Sequence, residues 1–351
     1  MRAWVVRAGK HGERDAWALK SGYSGGGWAE VPDMTLCTTR DEVVRLAVDT
    51  YKGRSDAAVA NSAGQLWALR ARIEPDDLMI LPLKTTRQIA LGWVTGRYEY
   101  RADEQDLAKR HVIPVEWKRQ DLPRSAVKQD LLFTLGSAMS VFSPSKNNAV
   151  ARLESLLKHG VDPGQAVALG PAKHKLSATS ANDTEDVDEP ELSPDIEEAA
   201  LDQITSKVKE EFSGHGLATL VTALLEAEGL HCEQSPPGAD GGIDIIAGRG
   251  LLGLDDLVVV QVKSGGQVGS SVVKELHGAM ATQGADQGLL VAWGGLSKPG
   301  RDALKANNMR VRVWQDTDVV EAVLANYEKL DSDIRSHLPL KRVWILTDAA
   351  G

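Results

Sequence analysis

The second half of the chain alternates short apolar runs with longer amphipathic segments. The apolar runs, bounded by turn residues, predict strands at residues 230–234, 241–247, 257–263, 289–293 and 311–314. Apolar positions with helical spacing predict helices at residues 216–228, 272–282, 299–307 and 316–327. Because strands and helices alternate, we expect an α/β domain whose mixed sheet is flanked by helices on both faces.

The first 160 residues show a different pattern, in which short β-type runs outnumber the helical segments. These runs predict strands at residues 3–6, 78–83, 89–94 and 112–117. Helical periodicity occurs at residues 40–49 and 125–135, where Thr39 and Ser125 are suitable N-caps. The pattern predicts a strand-rich module of mixed α and β structure.

A polar segment separates the two modules. Residues 177–194 read SATSANDTEDVDEPELSP and hold too few apolar side chains to offset the entropy of ordering the segment. We therefore expect a first module at residues 1–160, an acidic flexible linker at 161–200, a second module at 201–330 and a C-terminal tail at 331–351.

The charge is unevenly distributed along the chain. The net charge is −9, yet residues 176–200 alone hold nine acids and no base. Residues 1–160 hold 24 basic and 19 acidic residues, a balance of +5. This distribution permits nucleic-acid binding by the first module.

Cysteine usage and hydropathy narrow the class of protein further. The two cysteines, Cys37 and Cys232, lie far apart and cannot form a zinc site by themselves. The amino terminus lacks an apolar signal segment, and no apolar run is long enough to span a bilayer. We expect a cytoplasmic protein that does not associate with a membrane.

Three polar residues interrupt the apolar strands of the second module, namely Asp244, Gln261 and Lys263. Because side chains alternate along a strand, Gln261 and Lys263 point to one face and the intervening valines to the other. If the two strands form a hairpin, Asp244 meets this pair. Phosphodiester hydrolysis needs oxygen ligands for Mg²⁺ and a group that orients or deprotonates water. We predict Asp244, Gln261 and Lys263 as catalytic residues, with Asp244 and Gln261 as ligands of Mg²⁺, for which Mn²⁺ can substitute.

The same residues carry a family resemblance. The run DGGID at residues 240–244, followed by QVK at residues 261–263, resembles the Mrr-like restriction endonucleases of the PD-(D/E)XK nuclease superfamily. The resemblance covers roughly residues 214–330 and implies a restriction-endonuclease-like fold. It also implies that Asp244 binds metal, that Gln261 replaces the superfamily glutamate and that Lys263 is the catalytic lysine.

The chain departs from the family pattern in the helix before this motif. Many relatives carry a glutamate early in that helix, whereas residues 217–220 here read LATL. His215, Glu226 and Glu228 are the polar residues nearest to this position along the chain. The residue that replaces the missing acid stays open at this point.

The first module resembles PUA-like and EVE-type barrels. The resemblance rests on residues 73–79, with Pro75-Asp76-Asp77 where the family has Gly-Asp, and on the strand at residues 89–94. It implies recognition of a base flipped out of the duplex, which aromatic walls can hold by stacking. The candidate walls are Trp28, Trp67, Trp93, Tyr98, Tyr100 and Trp117. Candidates for DNA-backbone contacts are Ser264, Lys274, Arg7 and Arg97.

Together these features predict a modification-dependent (type IV-like) restriction endonuclease that acts on double-stranded DNA. Cutting both strands needs two catalytic domains, so we expect a homodimer or transient pairing on DNA. Two alternatives remain. The first module could sense a small molecule or nucleotide that switches the nuclease on, or the chain could be a DNA-binding protein that keeps a nuclease fold without catalysis.

Overall fold

The structure is a computed structural model that describes residues 1–137, 139–164, 195–236, 242–250, 255–305 and 310–345. The chain divides into two compact units, Met1–Ala199 and Ala200–Gly351. None of the helices in the described ranges is long and apolar enough to cross a membrane.

The described residues of the first unit form seven strands and five α-helices. The strands are β1 (Ala3–Val6), β2 (Tyr23–Gly25), β3 (Leu78–Leu83), β4 (Gln88–Val94), β5 (Glu99–Tyr100), β6 (His111–Pro123) and β7 (Val141–Phe142). The helices are α1 (Asp15–Ser21), α2 (Arg40–Thr50), α3 (Asp56–Trp67), α4 (Gln129–Leu135) and α5 (Ala149–His159). A short π-helix at Ala68–Arg72 extends α3. All four predicted strands are present, while α1, α3 and α5 were missed.

The strands of the first unit form one sheet in the order β2-β6-β4-β3-β1-β7, with β5 also paired to β6. β1 and β3 are parallel, whereas β4 pairs antiparallel with both β3 and β6. The predicted PUA-like barrel is not confirmed, because the described strands form an open half-barrel. Helices cover both faces of this sheet, so their side chains fill the space that a closed barrel would enclose.

Two apolar cores lie on the opposite faces of this sheet. Side chains of α2 and α3 pack with Trp4 and Met79 on one face, and we call this group the first-face core. Side chains of α4 and α5 pack with Val5 and Ile80 on the other face. Consecutive residues of β1 therefore serve different cores, as the two-residue period of a strand requires.

Helix capping explains why the predicted start of α2 is correct and why the predicted start of α4 is wrong. The Thr39 side chain accepts the Glu42 N–H, and Glu42 reaches back to Thr39, which completes a capping box at α2. Ser125 was predicted to cap the next helix, but it lies in a 3₁₀ turn, and α4 begins at Gln129. The Asp162 carboxylate accepts the Lys128 N–H at 2.8 Å and so satisfies a backbone donor beside this helix start.

The second unit is built around a five-stranded sheet. Its strands are β8 (His231–Gln234), β9 (Ile245–Arg249), β10 (Asp255–Lys263), β11 (Gln287–Ala292) and β12 (Val311–Trp314). Its helices are α7 (His215–Ala227), α8 (Ser270–Gln283), α9 (Lys298–Lys305), α10 (Asp316–Asn326) and α11 (Ser332–His337), preceded by α6 (Ile196–Glu211). Every predicted strand and helix of this unit is present: β12 has the predicted ends, and the other elements have shifted ends. Residues 306 and 307 of the helix predicted at 299–307 lie outside the described residues, and α11 lies within the predicted C-terminal tail.

The sheet of the second unit is mixed, as predicted, with the order β12-β11-β10-β9-β8. β10 is parallel to β11 and antiparallel to β9, and β9 is antiparallel to β8. Side chains of α7 and α10 pack on the face that carries Val260 and Val262. Side chains of α8 pack on the face that carries Val259. Helices therefore flank the sheet on both faces.

A buried ion cluster lies within the first unit at the described end of the predicted linker. Glu198, on the first turn of α6, is 8% exposed and contacts Arg7 at 3.2 Å, Arg124 at 2.8 Å and Lys84 at 2.5 Å. Burial by itself raises the pKa of the Glu198 carboxyl, but the charges of the three cations outweigh it and lower that pKa to about 2. The predicted linker was placed at residues 161–200, yet this end of it is helical and anchored.

Replacing Glu198 by Gln should destabilise the first unit by about 3 kcal/mol near neutral pH, because three cations lose their shared counter-charge. The folded-state pKa lies near 2, below the ordinary value of 4.5. This stabilisation is therefore complete above about pH 4.5 and declines as the pH falls towards 2.

Urea unfolding of the wild type and the variant at pH 7 and pH 3 measures the effect, and the difference should shrink in acid. Glu197→Gln is the matched control, since Glu197 is the exposed neighbour on the same turn. A difference that stays constant between the two pH values would contradict the assignment.

Candidate active site

The hairpin of β9 and β10 positions the three residues predicted as catalytic. Val260 pairs with Ile245, so the segment with Asp244 runs beside the segment with Gln261. The valines at 258, 260 and 262 pack in one core, and Val259 packs in the other. The hairpin and the alternation of side chains on β10 are therefore as the sequence predicted.

Hydrogen bonds hold both the side chain and the backbone of Asp244. Its carboxylate Oδ2 accepts the backbone N–H of Val262 at 2.7 Å. Its own N–H donates to the Val260 carbonyl, and its carbonyl accepts the Ser235 N–H, both at 2.9 Å. The short charge-assisted bond fixes the carboxylate against the part of β10 that lies between Gln261 and Lys263. The other carboxylate oxygen stays available for a ligand.

Gln261 occupies a different environment from the other two residues. It is 1% exposed, and neither atom of its side-chain amide has a hydrogen-bond partner among the described residues. A Cβ added at Gly242 would lie 2.9 Å from the Gln261 amide nitrogen, so only glycine leaves room there. A buried amide without partners is costly, which makes this side chain a candidate for an absent ligand.

Lys263 and Asp244 line the same open cleft, which has a volume of about 550 Å³. The cleft lies where β10 ends, between the starts of α7 and α8. Lys263 is half-buried, and within the described part of the chain its amine forms no ion pair or hydrogen bond. The structure thus brings Asp244 and Lys263 together, whereas Gln261 is buried and does not line the cleft.

A glycine-rich loop, Ser264–Gly269, forms a large part of the cleft wall. The loop packs closely against Gly294, because a Cβ built at Gly294 would lie 2.6 Å from the Gly265 carbonyl oxygen. Val268 pairs with Leu296 in an isolated parallel bridge. This wall is therefore preformed, and its glycines leave open space towards the cleft.

A histidine near the position of the missing family glutamate lines the cleft. His215 begins α7 and lines the cleft, together with Gly214 and Ala218. Neither Glu226 nor Glu228 lines it, and Glu228 accepts a hydrogen bond from Asn326 at 2.6 Å. The sequence analysis considered His215 without selecting it, because a lone histidine before a helix gives no signal of where its ring lies.

The four residues predicted to contact the DNA backbone lie in different environments. Ser264 lines the cleft, while Lys274 is exposed on α8 outside its lining. Arg97 is exposed and pairs with Glu74 at 3.0 Å. Arg7 is 8% exposed, and its guanidinium donates to Glu198 and to backbone carbonyls. A surface contact from Arg7 to a phosphate is incompatible with this burial.

The aromatic candidates of the first unit do not form one set. Five of them pack on the first-face core, namely Trp28, Trp67, Tyr98, Tyr100 and Trp117. Trp93 packs against the core on the opposite face of the sheet. A single base pocket therefore cannot use all six.

Tyr98 belongs to the interior of the first unit. It is 8% exposed, its hydroxyl donates to His111 Nδ1 at 2.8 Å, and it accepts the Met34 N–H at 3.4 Å. His111 Nε2 in turn donates to the Val31 carbonyl at 2.9 Å. Burial raises the pKa of the Tyr98 phenol and lowers the pKa of the His111 imidazole, so both stay neutral.

Trp28 has an unusual backbone conformation. It lies at φ 47°, directly after three glycines that also have positive φ angles. A bulky residue in the left-handed region is strained, and such strain concentrates at functional sites. Trp28 as a whole residue is half-buried, although it packs against the first-face core. Among the aromatic candidates, it is the one whose backbone suggests a role beyond packing.

The residues present fit a hard divalent cation. The carboxylate of Asp244 and the amide oxygen of Gln261 are oxygen donors, which Mg²⁺ and Mn²⁺ prefer. Among the described residues no group of three or more His, Cys, Asp or Glu side chains could hold a metal by itself. A sparse set of this kind suits Mg²⁺, which keeps several waters and shares phosphate oxygens with its protein ligands.

Gly242→Ala should destabilise the second unit by more than the roughly 1 kcal/mol expected for losing a left-handed glycine, because the new methyl group also displaces the Gln261 amide. Gly284→Ala is the matched control: it has φ +64° and open space around a built Cβ. Thermal unfolding of both variants measures the difference. Equal losses for the two would show that Gln261 is not held against Gly242.

Comparison with known proteins agrees with this geometry for the second unit. A family model described as a restriction endonuclease (Mrr_cat) matches residues 209–323. A second model, described as a domain of unknown function (DUF8426), matches residues 4–139. No curated protein matches the chain.

Two solved structures show similarity over most of the chain. One is the MspJI restriction endonuclease in complex with a 27-mer oligonucleotide, with a TM-score of 0.30 and 13% identity, covering 82% of this chain and 70% of that chain. The other is the DNA modification-dependent restriction endonuclease AspBHI, with a TM-score of 0.30 and 13% identity, covering 90% and 78%. The family match shows that residues 209–323 are a restriction endonuclease domain, as the sequence predicted.

Proposed function

We propose that this protein is a Mg²⁺-dependent DNA endonuclease that hydrolyses phosphodiester bonds of double-stranded DNA. The observation that carries the proposal is the meeting of Asp244 and Lys263 in one open cleft of the restriction endonuclease domain, where the Lys263 amine has no partner among the described residues. A carboxylate beside a half-buried amine, next to a preformed glycine-rich wall, suits a phosphate and the water that attacks it.

The roles of the chain's own residues follow from their chemistry. Asp244 and Gln261 would hold the divalent cation, which when bound polarises the phosphate and lowers the pKa of water. Lys263 orients the attacking water and stabilises the charge that develops on the phosphate oxygens. The Ser264–Gly269 loop gives the DNA backbone close access, because its glycines carry no side chains into the cleft.

The first unit supplies substrate selection in this proposal. Trp28 stacks on a modified base that has been flipped out of the duplex, in line with its strained backbone and incomplete burial. A base modification thus directs the nuclease to its target, as in type IV-like restriction. Cutting both strands requires a second catalytic domain, so the active form is a homodimer or a transient pair on DNA.

Asp244→Asn and Lys263→Met should each reduce DNA cleavage by at least about 100-fold. Asparagine still accepts the Val262 N–H, and methionine keeps most of the lysine stem, so both variants should fold normally. Lys305→Met is the control, because Lys305 is 76% exposed on α9 and outside the cleft lining. Single-turnover cleavage of duplex DNA with Mg²⁺ or Mn²⁺ measures the effect.

Equal cleavage by the wild type and both variants would remove the site assignment. A wild type that binds DNA but never cleaves it, with either metal, would instead favour a DNA-binding protein with a nuclease fold.

The wild type should cleave duplexes that carry 5-methylcytosine or 5-hydroxymethylcytosine faster than the unmodified duplex, by about 10-fold or more, since base stacking contributes roughly 1–3 kcal/mol. Trp28→Ala should abolish this preference. Trp93→Ala is the matched control, because Trp93 packs on the other face of the sheet. The ratio of cleavage rates on modified and plain DNA is the measurement. Cleavage that ignores modification but requires an added nucleotide would replace base reading with a small-molecule switch.

A further inference from the structure

A cluster of polar side chains beside the cleft holds the ring of His215. The Gln234 side-chain nitrogen lies 2.9 Å from His215 Nε2 and 3.2 Å from the Thr219 hydroxyl. The Gln234 amide oxygen lies 3.4 Å from the Thr222 hydroxyl. Gln234 therefore contacts the imidazole directly, and Thr219 and Thr222 of α7 hold the Gln234 amide in place at the edge of the cleft.

The hydrogen bonds of this cluster indicate the tautomer of the His215 ring. An amide nitrogen only donates, so Nε2 of His215 accepts and the ring proton resides on Nδ1. The Thr219 hydroxyl can donate to the His215 carbonyl, at 3.5 Å, while it accepts from Gln234. Nδ1 has no partner among the described residues, so it is a free donor.

The cluster is attached to the strand next to Asp244. Gln234 pairs with Ile245 in the sheet, and the neighbouring Ser235 N–H donates to the Asp244 carbonyl. His215 and Asp244 both line the cleft with Lys263. The orientation of the imidazole is therefore tied to the backbone that places the carboxylate.

The charged residues that line the cleft indicate which kind of ligand the Nδ1 donor of His215 would bind. Among its described lining residues, Asp244 is the one acid, and one of its oxygens is taken by the Val262 N–H. Lys263 contributes an unpaired positive charge on the same cleft. α7 and α8 lie on opposite faces of the sheet, so His215 and the Ser264–Gly269 loop bound the cleft from different sides. A DNA strand in the cleft would thus meet donors from both sides.

We propose that His215 is a further substrate-contacting residue of the nuclease, which donates from Nδ1 to a non-bridging phosphate oxygen of the DNA, and that Gln234 is its positioning residue. This inference rests on the proposed function. Holding an exposed ring in one orientation costs side-chain entropy, and the contact with phosphate explains why three other side chains are arranged to do so.

The test uses the full-length protein and a short duplex oligonucleotide. Binding is measured by fluorescence anisotropy with Ca²⁺ in place of Mg²⁺, and cleavage is measured under single-turnover conditions with Mg²⁺. His215→Ala should weaken binding and slow cleavage by about 10-fold to 100-fold, which is the range for a hydrogen bond to a charged group. His215→Asn, whose amide nitrogen lies close to the Nδ1 position, should restore most of the loss. His231→Ala, an exposed histidine on β8, should behave as the wild type.

Gln234→Ala should produce an intermediate loss, and the double variant with His215→Ala should be no worse than His215→Ala alone. This non-additivity separates a positioning role from an independent contact. Thermal unfolding of each variant accompanies the measurements. If His215→Ala and His215→Asn lose binding equally and unfold at lower temperature, the cluster only braces α7 against β8, and the proposal is wrong.

The failures of the two proposals are distinguishable. If Asp244→Asn and Lys263→Met lose cleavage while His215→Ala matches the wild type, the inference about His215 fails and the nuclease stands. If the wild type neither binds nor cleaves DNA with either metal, the proposed function fails and the inference falls with it.

Discussion

The hydrogen bond from the Val262 N–H to the Asp244 carboxylate is the contact on which the candidate site depends. It joins the only acid in the described cleft lining to the strand that carries Gln261 and Lys263. Without it, the carboxylate would be free to rotate away from β10, and the amine and carboxylate would have no fixed separation. Because the bond uses a backbone donor, it holds the geometry of the candidate site without using another side chain.

Local charge matters more than net charge in this protein. The first 160 residues carry a positive balance, but several of the cations are consumed inside the first unit. Arg7 and Arg124 contact Glu198, and Arg152 is 1% exposed between Asp130 and Asp162. The second module is acidic overall, yet its cleft presents Lys263 without a counter-ion in the described structure. A balance of charges counted along the chain therefore does not locate the anion-binding surface.

The two units illustrate why some elements are easier to predict than others. β10 and β11 have nearly continuous apolar runs because helices cover both of their faces, and such runs are readable in the sequence. The helix α3 was missed because alanine, serine and glycine dominate it and give weak periodicity. β6 was predicted at less than half of its 13 residues, because residues 118–121 in its second half read KRQD and give no alternation of apolar and polar side chains. The PUA-like barrel was not confirmed, because its closure depends on the order of strands that are distant in sequence, and local sequence patterns carry no information on that order.

The sequence by itself determined the order of elements in the second unit and the alternation of side chains on β10, and it selected Asp244, Gln261 and Lys263 as candidate catalytic residues. These follow from local periodicity and from residue types that packing would not choose. Only the tertiary structure decided that Asp244 and Lys263 share an open cleft while Gln261 is buried, that Arg7 is internal and that His215 faces the cleft. Such properties depend on which elements pack together, and contacts between residues distant in sequence leave no mark on local patterns.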